Sequence, residues 1–171
     1  MSAETLETTR LRLRPVTLND ASRMADLLSD RDVSKMTAKI PHPYGLDDAR
    51  DFIAASTKAD VRPGLFAVDH RQHGFVGMMG LNSELERFPV VGYWLGRPYW
   101  GQGLATEALG GLLTWADRRN VRAVISEHFV DNEASGRVLG KGGFLYTGEV
   151  APKLSRARGE AVLSRRMVRL A

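Results

Sequence analysis

Leu11, Leu13 and Pro15 alternate with Arg12 and Arg14, and this period of two predicts a strand with one wet face. Thr17 offers a helix N-cap, and Ala21, Met24, Ala25, Leu27 and Leu28 follow at helical spacing. Two prolines and a glycine punctuate Ile40–Gly45, so regular structure stops there. A second helix is predicted over Asp47–Lys58, burying Ala49, Phe52, Ile53 and Ser56. Strand patterns occupy Leu65–Val68, Phe75–Leu81 and Val90–Leu95, with Asp69–Gly74 as the turn between the first two. Past the turn-rich segment Pro98–Gly103, Leu104, Ala108, Leu112 and Ala116 make one apolar stripe, with Ala105, Leu109 and Leu113 beside it. Val121–Phe129 reads as a strand. Asp131 or Asn132 then caps a helix that ends at Gly142-Gly143. Phe144–Val150 and Ala161–Val168 are the last two strands, joined by a basic loop containing Gly159.

The predicted order is β-α-α-β-β-β-α-β-α-β-β. This is an α+β chain, one domain over residues 1–171, with a mixed central sheet of about seven strands and flanking helices. The strand–loop–helix over 90–116 followed by a strand at 121 forms a crossover, which favours local parallel pairing.

Composition narrows the classes. The chain has 171 residues, 43% hydrophobic and 26% charged, an ordinary globular mix. No apolar run approaches the ~20 residues of a spanning helix, and the polar start Met1–Arg10 is not expected to be a secretory signal. Cysteine is absent, which excludes disulfides, thiolate metal sites and cysteine nucleophiles and fits a cytoplasmic location. The net charge of +4 is uneven. Residues 150–171 carry Lys153, Arg156, Arg158, Arg165, Arg166 and Arg169 against Glu160 alone, a net of +5 that leaves the rest at −1. Such a segment can meet nucleic acid, but is read first as a solvated hairpin face. His42, His70, His73 and His128 are scattered without metal-ligand spacing, so no metal is expected.

The segment Trp100-Gly101-Gln102-Gly103-Leu104-Ala105-Thr106-Glu107-Ala108 lies between an apolar strand and an apolar helix. Glycine permits a tight turn and close backbone approach to a ligand. The first amides of a helix have no partner within it and form an anion site aided by the helix dipole. Thr106 stands where a dinucleotide fingerprint needs its third glycine, and no Gly-Lys-Ser/Thr follows, so neither nucleotide motif is present. The segment does fit [Gln/Arg]-x-x-Gly-x-[Gly/Ala] over Trp100–Ala105, with Trp in the first position.

Here the chain resembles the GNAT superfamily of acyl-CoA-dependent N-acyltransferases. Thr9-Arg10-Leu11-Arg12-Leu13-Arg14-Pro15 is similar to that family's opening strand. Gly92-Tyr93-Trp94-Leu95 with the Trp100–Ala108 segment, then Asn132-x-x-Ser135 and Gly143-Phe144, resembles its ribosomal-protein N-terminal acetyltransferase branch. The match runs over about residues 8–168. The resemblance implies acetyl-CoA as acyl donor, bound where two neighbouring parallel strands splay apart in mid-sheet. Tyr93 and Leu95 would pair with the pantetheine through their backbones. Gly101, Gln102, Gly103, Leu104, Ala105 and Thr106 would hold the pyrophosphate, with Trp100 beside it. Asn132 would bond the pantetheine or cap its helix.

The implied chemistry is attack of a neutral amine on a thioester, followed by protonation of the leaving thiolate. The family's usual tyrosine acid falls on Leu139 here, which leaves Ser135 as the substitute. A carboxylate common in the branch falls on Val90. The base is then sought among Glu84, Glu86, Glu127 and His128, with His128 and Glu84 favoured as catalytic. Glu107, in the first helical turn, is expected to cap or pair. A strong base is not obligatory. A peptide α-amine, with pKa ~7.7–8.0, is roughly 10–15% neutral at pH 7, whereas a lysine amine is below ~0.1%. The expected acceptor is therefore a protein or peptide N-terminal amine. The alternatives are a small-molecule amine acetyltransferase, a non-catalytic acyl-CoA-binding domain and, less favoured, a nucleic-acid-associated protein. Association as a monomer or a homodimer is open, and a membrane partner is not expected.

Overall fold

The structure is a computed structural model, and it describes residues 4–57, 64–82 and 88–171. A one-turn 3-10 segment, Leu18–Asp20, leads into α1 (Ala21–Leu28). Thr17 and Asp20 form its capping box: the Thr17 amide donates to Asp20 Oδ2 at 2.9 Å and the Asp20 amide to the Thr17 carbonyl at 2.9 Å. Thr17 therefore caps as expected, one turn upstream of the helix itself. Arg14 forks onto the Asp20 carboxylate at 2.8 and 2.9 Å and reaches Asp69 at 3.1 Å.

Two short elements precede and follow this unit. β1 (Leu6–Glu7) is a two-residue partner of β2 (Leu11–Arg14), and α2 (Arg31–Ser34) is one turn capped by Asp30. Both are too short for periodicity to reveal, so the described sheet has eight strands where about seven are expected. α3 (Leu46–Ser56) buries Ala49 and Ile53, while Phe52 and Ser56 stay partly exposed.

β3 (Leu65–His70), β4 (Gly74–Asn82) and β5 (Val90–Leu95) form an antiparallel meander. Phe75, Val76, Met78, Met79 and Leu81 are all buried on β4, and both α1 and α4 (Leu104–Asp117) pack against that strand. On α4 the predicted stripe is buried throughout, from Leu104 through Ala108, Leu109, Leu112 and Leu113 to Ala116. β6 (Ala123–Phe129), α5 (Glu133–Lys141), β7 (Leu145–Ser155) and β8 (Glu160–Leu170) complete the chain. The sheet order is β1-β2-β3-β4-β5-β6-β8-β7.

The feature that places the site is the contact of β5 with β6. It is parallel, and it pairs only Val90 with Ile125 and Val91 with Ser126. β5 remains paired with β4 out to Leu95, and β6 with β8 out to Phe129. Each strand keeps its outer neighbour while the two part company inside, which opens a V in mid-sheet. Ser126, 2% exposed, closes the apex by donating its hydroxyl to the Val91 carbonyl at 2.9 Å.

β7 is the outer edge. It runs to Ser155, beyond the predicted end at Val150, and its register slips between Tyr146 and Val150, with Gly148 at φ +87°. Tyr146, Val150, Leu154 and Leu163 stand exposed on this hairpin. Its tip meets the stretch after α2: the Arg156 amide donates to the Ala38 carbonyl at 3.0 Å and Arg158 Nε to the Lys35 carbonyl at 2.8 Å. The basic segment is largely neutralised. Arg158 pairs with Asp131, Arg166 with Glu127 and Glu149, Arg169 with Asp117, and Lys153 with Glu127. No described helix is long and apolar enough to cross a membrane.

Candidate active site in the splayed strands

At the open end of the V the chain leaves β5, makes a one-turn 3-10 segment at Arg97–Tyr99 and enters the glycine loop. Gly101 and Gly103 have φ of +72° and +75°, a left-handed backbone that glycine adopts without cost. Gly103 is the N-cap of α4, and its carbonyl accepts from Glu107. Gly101, Gln102 and Gly103 are exposed while Leu104 is fully buried, so an apolar anchor holds a polar mouth of helix-start amides. The loop is braced from within. Trp100 Nε1 donates to the Leu95 carbonyl at 2.7 Å, and Gln102 Nε2 to the Pro98 carbonyl at 2.9 Å. The indole N–H is thus committed to the loop's own fold, and the first motif position offers no side-chain donor to an anion. Ala105 and Thr106 lie partly exposed in the first turn of α4.

Glu107 behaves as a partner residue, as expected. Its Oε1 accepts from the Thr8 hydroxyl and the Arg10 amide, both at 2.7 Å, and its Oε2 accepts from Arg10 Nε at 2.7 Å. Burial works to raise its pKa. The donors from Arg10 and Thr8 outweigh that, and the carboxyl lies below its ordinary value.

Deeper in the V, Tyr93 from β5 meets Ser135 from α5, with the two hydroxyls 2.7 Å apart. The Tyr93 hydroxyl also donates to the Ser135 carbonyl at 3.3 Å. Burial pushes the phenol up to about 12, so it keeps its proton at neutral pH. Asn132 is the α5 N-cap, its Oδ1 accepting from the Ser135 amide at 3.2 Å, and this fixes Ser135 on the first turn. Leu139 is fully buried in the core.

His128 is 5% exposed, and both ring nitrogens have partners. The Phe129 carbonyl, 2.8 Å from Nδ1, can only accept, so Nδ1 carries the proton. Nε2 lies 3.0 Å from the Tyr146 hydroxyl. Gly136 makes room for this pair: a Cβ there would lie 2.7 Å from Tyr146 Oη and 2.9 Å from His128 Nε2. The pair borders a cavity of 320 Å³ that Arg137 and Arg165 also line. Neither His128 nitrogen bonds to Tyr93 or Ser135. Glu84 and Glu86 lie outside the described residues. Glu127 is held by Lys153 and Arg166.

Of the expected site residues, the fold brings together Tyr93, Asn132 and Ser135, sets the glycine loop just past the end of β5, and pairs His128 with Tyr146. Sequence reasoning missed Arg10, Ser126 and Tyr146. The only sequence signal for Arg10 was its place in the opening-strand motif. No group of three or more potential metal ligands occurs among the described residues.

Comparison with known proteins agrees with this geometry. Residues 10–145 match the family model described as "Acetyltransferase (GNAT) domain". The chain is 31% identical over 117 residues to an uncharacterized N-acetyltransferase, p20, of Bacillus licheniformis, covering 66% of this chain and 65% of the relative. It spans less than two thirds of the length of the curated relatives it matches. A GNAT-family acetyltransferase from Bacillus anthracis superposes with a TM-score of 0.84 at 20% identity, covering 98% of both chains. Mycobacterium smegmatis RimJ in complex with CoA-disulfide gives 0.84 at 18%, covering 99% of this chain and 88% of that one. With a family model over most of its length and the same fold in solved members, the chain belongs to the GNAT acetyltransferase family.

Proposed function

We propose that the protein is an acyl-CoA-dependent N-acetyltransferase that moves an acetyl group from acetyl-CoA to a primary amine by direct attack in a ternary complex. The observation that carries this reading is the V between β5 and β6, with the glycine loop at its mouth and the Tyr93–Ser135 hydroxyls inside it. Beyond Val91, β5 presents an inner edge that β6 does not pair, suited to the amides of a pantetheine arm. Gly101 and Gly103 leave the helix-start amides open to a pyrophosphate.

In the reaction the amine nitrogen bonds to the thioester carbon and gives up its surplus proton to solvent, the C–S bond breaks, and the thiolate takes a proton that solvent returns to the donor, so none is released net. Ser135 is the donor nearest that role, and Tyr93, protonated at neutral pH, resupplies it across 2.7 Å. The His128 nitrogens are occupied, Glu127 is neutralised by two cations, and no free base stands in the described part of the V. This favours an acceptor that is already partly neutral, a protein or peptide N-terminal α-amine.

The test measures CoA release against three acceptor classes: peptides with free N-termini, N-blocked peptides with one lysine, and small amines. Activity on free N-termini that exceeds the lysine peptide at least roughly tenfold at pH 7 is expected, following the neutral fractions. A preference for small amines would assign the alternative acceptor. CoA binding without release on any acceptor would mark a non-catalytic domain. Ser135→Ala should lower kcat roughly tenfold or more, and Tyr93→Phe should lower it in the wild type but not in Ser135→Ala.

A further inference from the structure

The phosphate cradle has an electrostatic problem that the loop does not solve. Its first motif position is Trp100, whose one donor is spent on the Leu95 carbonyl. Its first helical turn carries the carboxylate of Glu107, where an incoming phosphate would be repelled. Arg10, which lies just before β2 and 97 residues from Glu107 in sequence, answers both. Its Nε and backbone amide bind the Glu107 carboxylate, and its Nη1 donates to the Gln102 carbonyl at 2.9 Å in the middle of the loop. The remaining terminal nitrogen, Nη2, lies against Gly103: a Cβ built on that glycine would be 3.6 Å from it. The side chain is 43% exposed, and Nε and Nη1 are engaged by Glu107 and Gln102.

We infer that Arg10 is a phosphate-binding residue of the acyl-donor site, presenting Nη2 to the pyrophosphate of acetyl-CoA from outside the glycine loop. It supplies the cationic donor that the loop's first position lacks. The inference rests on the acyl-CoA reading above. Three features support a binding role over a merely structural one. Glu107 has a full set of donors from Thr8 and the Arg10 amide and Nε, so Nη2 is surplus to that pair. The Gln102 contact holds Nη1 against the exposed loop. Arginine presents several donors in one rigid plane, so it can hold a carboxylate on one edge and a phosphate on another.

The experiment titrates three ligands, CoA, dephospho-CoA and pantetheine, into wild type, Arg10→Gln, Glu107→Gln and the double variant, with folding checked by circular dichroism. Wild type that fails to bind CoA would sink the acyl-CoA reading itself. Given binding, Arg10→Gln should weaken CoA and dephospho-CoA alike, roughly ten- to hundredfold, and leave pantetheine within about twofold. Equal losses on all three ligands would overturn the proposal, because pantetheine carries no pyrophosphate. A loss on CoA that vanishes with dephospho-CoA would overturn the pyrophosphate assignment in favour of the 3′-phosphate. Glu107→Gln alone should bind CoA at least as well as wild type, and the double variant should stay weak. Recovery of wild-type affinity in the double variant would reduce Arg10 to a shield for Glu107. A CoA complex of the wild-type protein decides the point even if Arg10→Gln does not fold. Nη2 within hydrogen-bond reach of a pyrophosphate oxygen is expected, and a separation beyond roughly 5 Å would refute it.

Discussion

Ser126→Ala tests whether the V is held shut at its apex by one side chain. The Ser126 hydroxyl is buried and donates to the Val91 carbonyl at 2.9 Å, at the last residue pair before the strands diverge. Alanine leaves the backbone ladder in place, fits the same space and takes a donor from a buried carbonyl. Such a loss costs about 1–3 kcal/mol. For a chain of this size each kcal/mol moves Tm by ~2–4 °C, so about 2 kcal/mol corresponds to roughly 4–8 °C. The parallel contact is only two residue pairs long, so the loss falls on the hinge of the two arms rather than spreading over a wide ladder. Calorimetry gives the Tm, and titration of the folded protein with CoA reports the geometry. A lowered Tm together with severalfold weaker CoA binding is expected. A Tm within about 1 °C of wild type and unchanged affinity would refute the reasoning, since the apex would then be fixed by the backbone alone.

Gly136→Ala should be more disruptive than its one added carbon suggests, because the Cβ would press on Tyr146 Oη at 2.7 Å and His128 Nε2 at 2.9 Å. Overpacking of this kind costs about 1–3 kcal/mol, and adding Tyr146→Phe should recover part of the lost Tm. The acid limb of stability should depend on Asp20. Its burial works to raise the pKa, but hydrogen bonds from Arg14 and Thr17 prevail, so the folded value lies below the ordinary one. The stability it provides is therefore present above the ordinary carboxylate range and lost as pH falls through the folded value. Asp20→Asn should flatten the fall of Tm below about pH 4, and an unchanged acid limb would assign that fall elsewhere.

Much of the architecture was legible because apolar positions carry their own period. The α4 stripe from Leu104 to Ala116 and the α1 face from Ala21 to Leu28 are local patterns, and both are buried as expected. The glycine loop was legible because a left-handed backbone at 101 and 103 selects glycine. The V itself was not. Val90–Leu95 and Val121–Phe129 are apolar strands whose composition says nothing about where their pairing ends, so only the family resemblance pointed to the splay. Partnerships set by the tertiary fold were also invisible: Tyr93 with Ser135, Arg10 with Glu107, and His128 with Tyr146. β7 was read too short because Pro152 and Lys153 look like loop residues. At a sheet edge proline is tolerated, since no further strand asks for its N–H.

That same proline bears on how the molecule behaves in a crowded solution. An eleven-residue outer strand beside exposed Tyr146, Val150, Leu154 and Leu163 would ordinarily invite other chains to dock along it and grow into aggregates. Here the slip at 147–149 breaks the row of outward-facing groups, and Pro152 removes a donor from what remains. An intruding chain finds two short, mismatched stretches in place of one continuous ladder. The apolar flank of the last hairpin is thus set beside an edge that offers a second strand little to pair with.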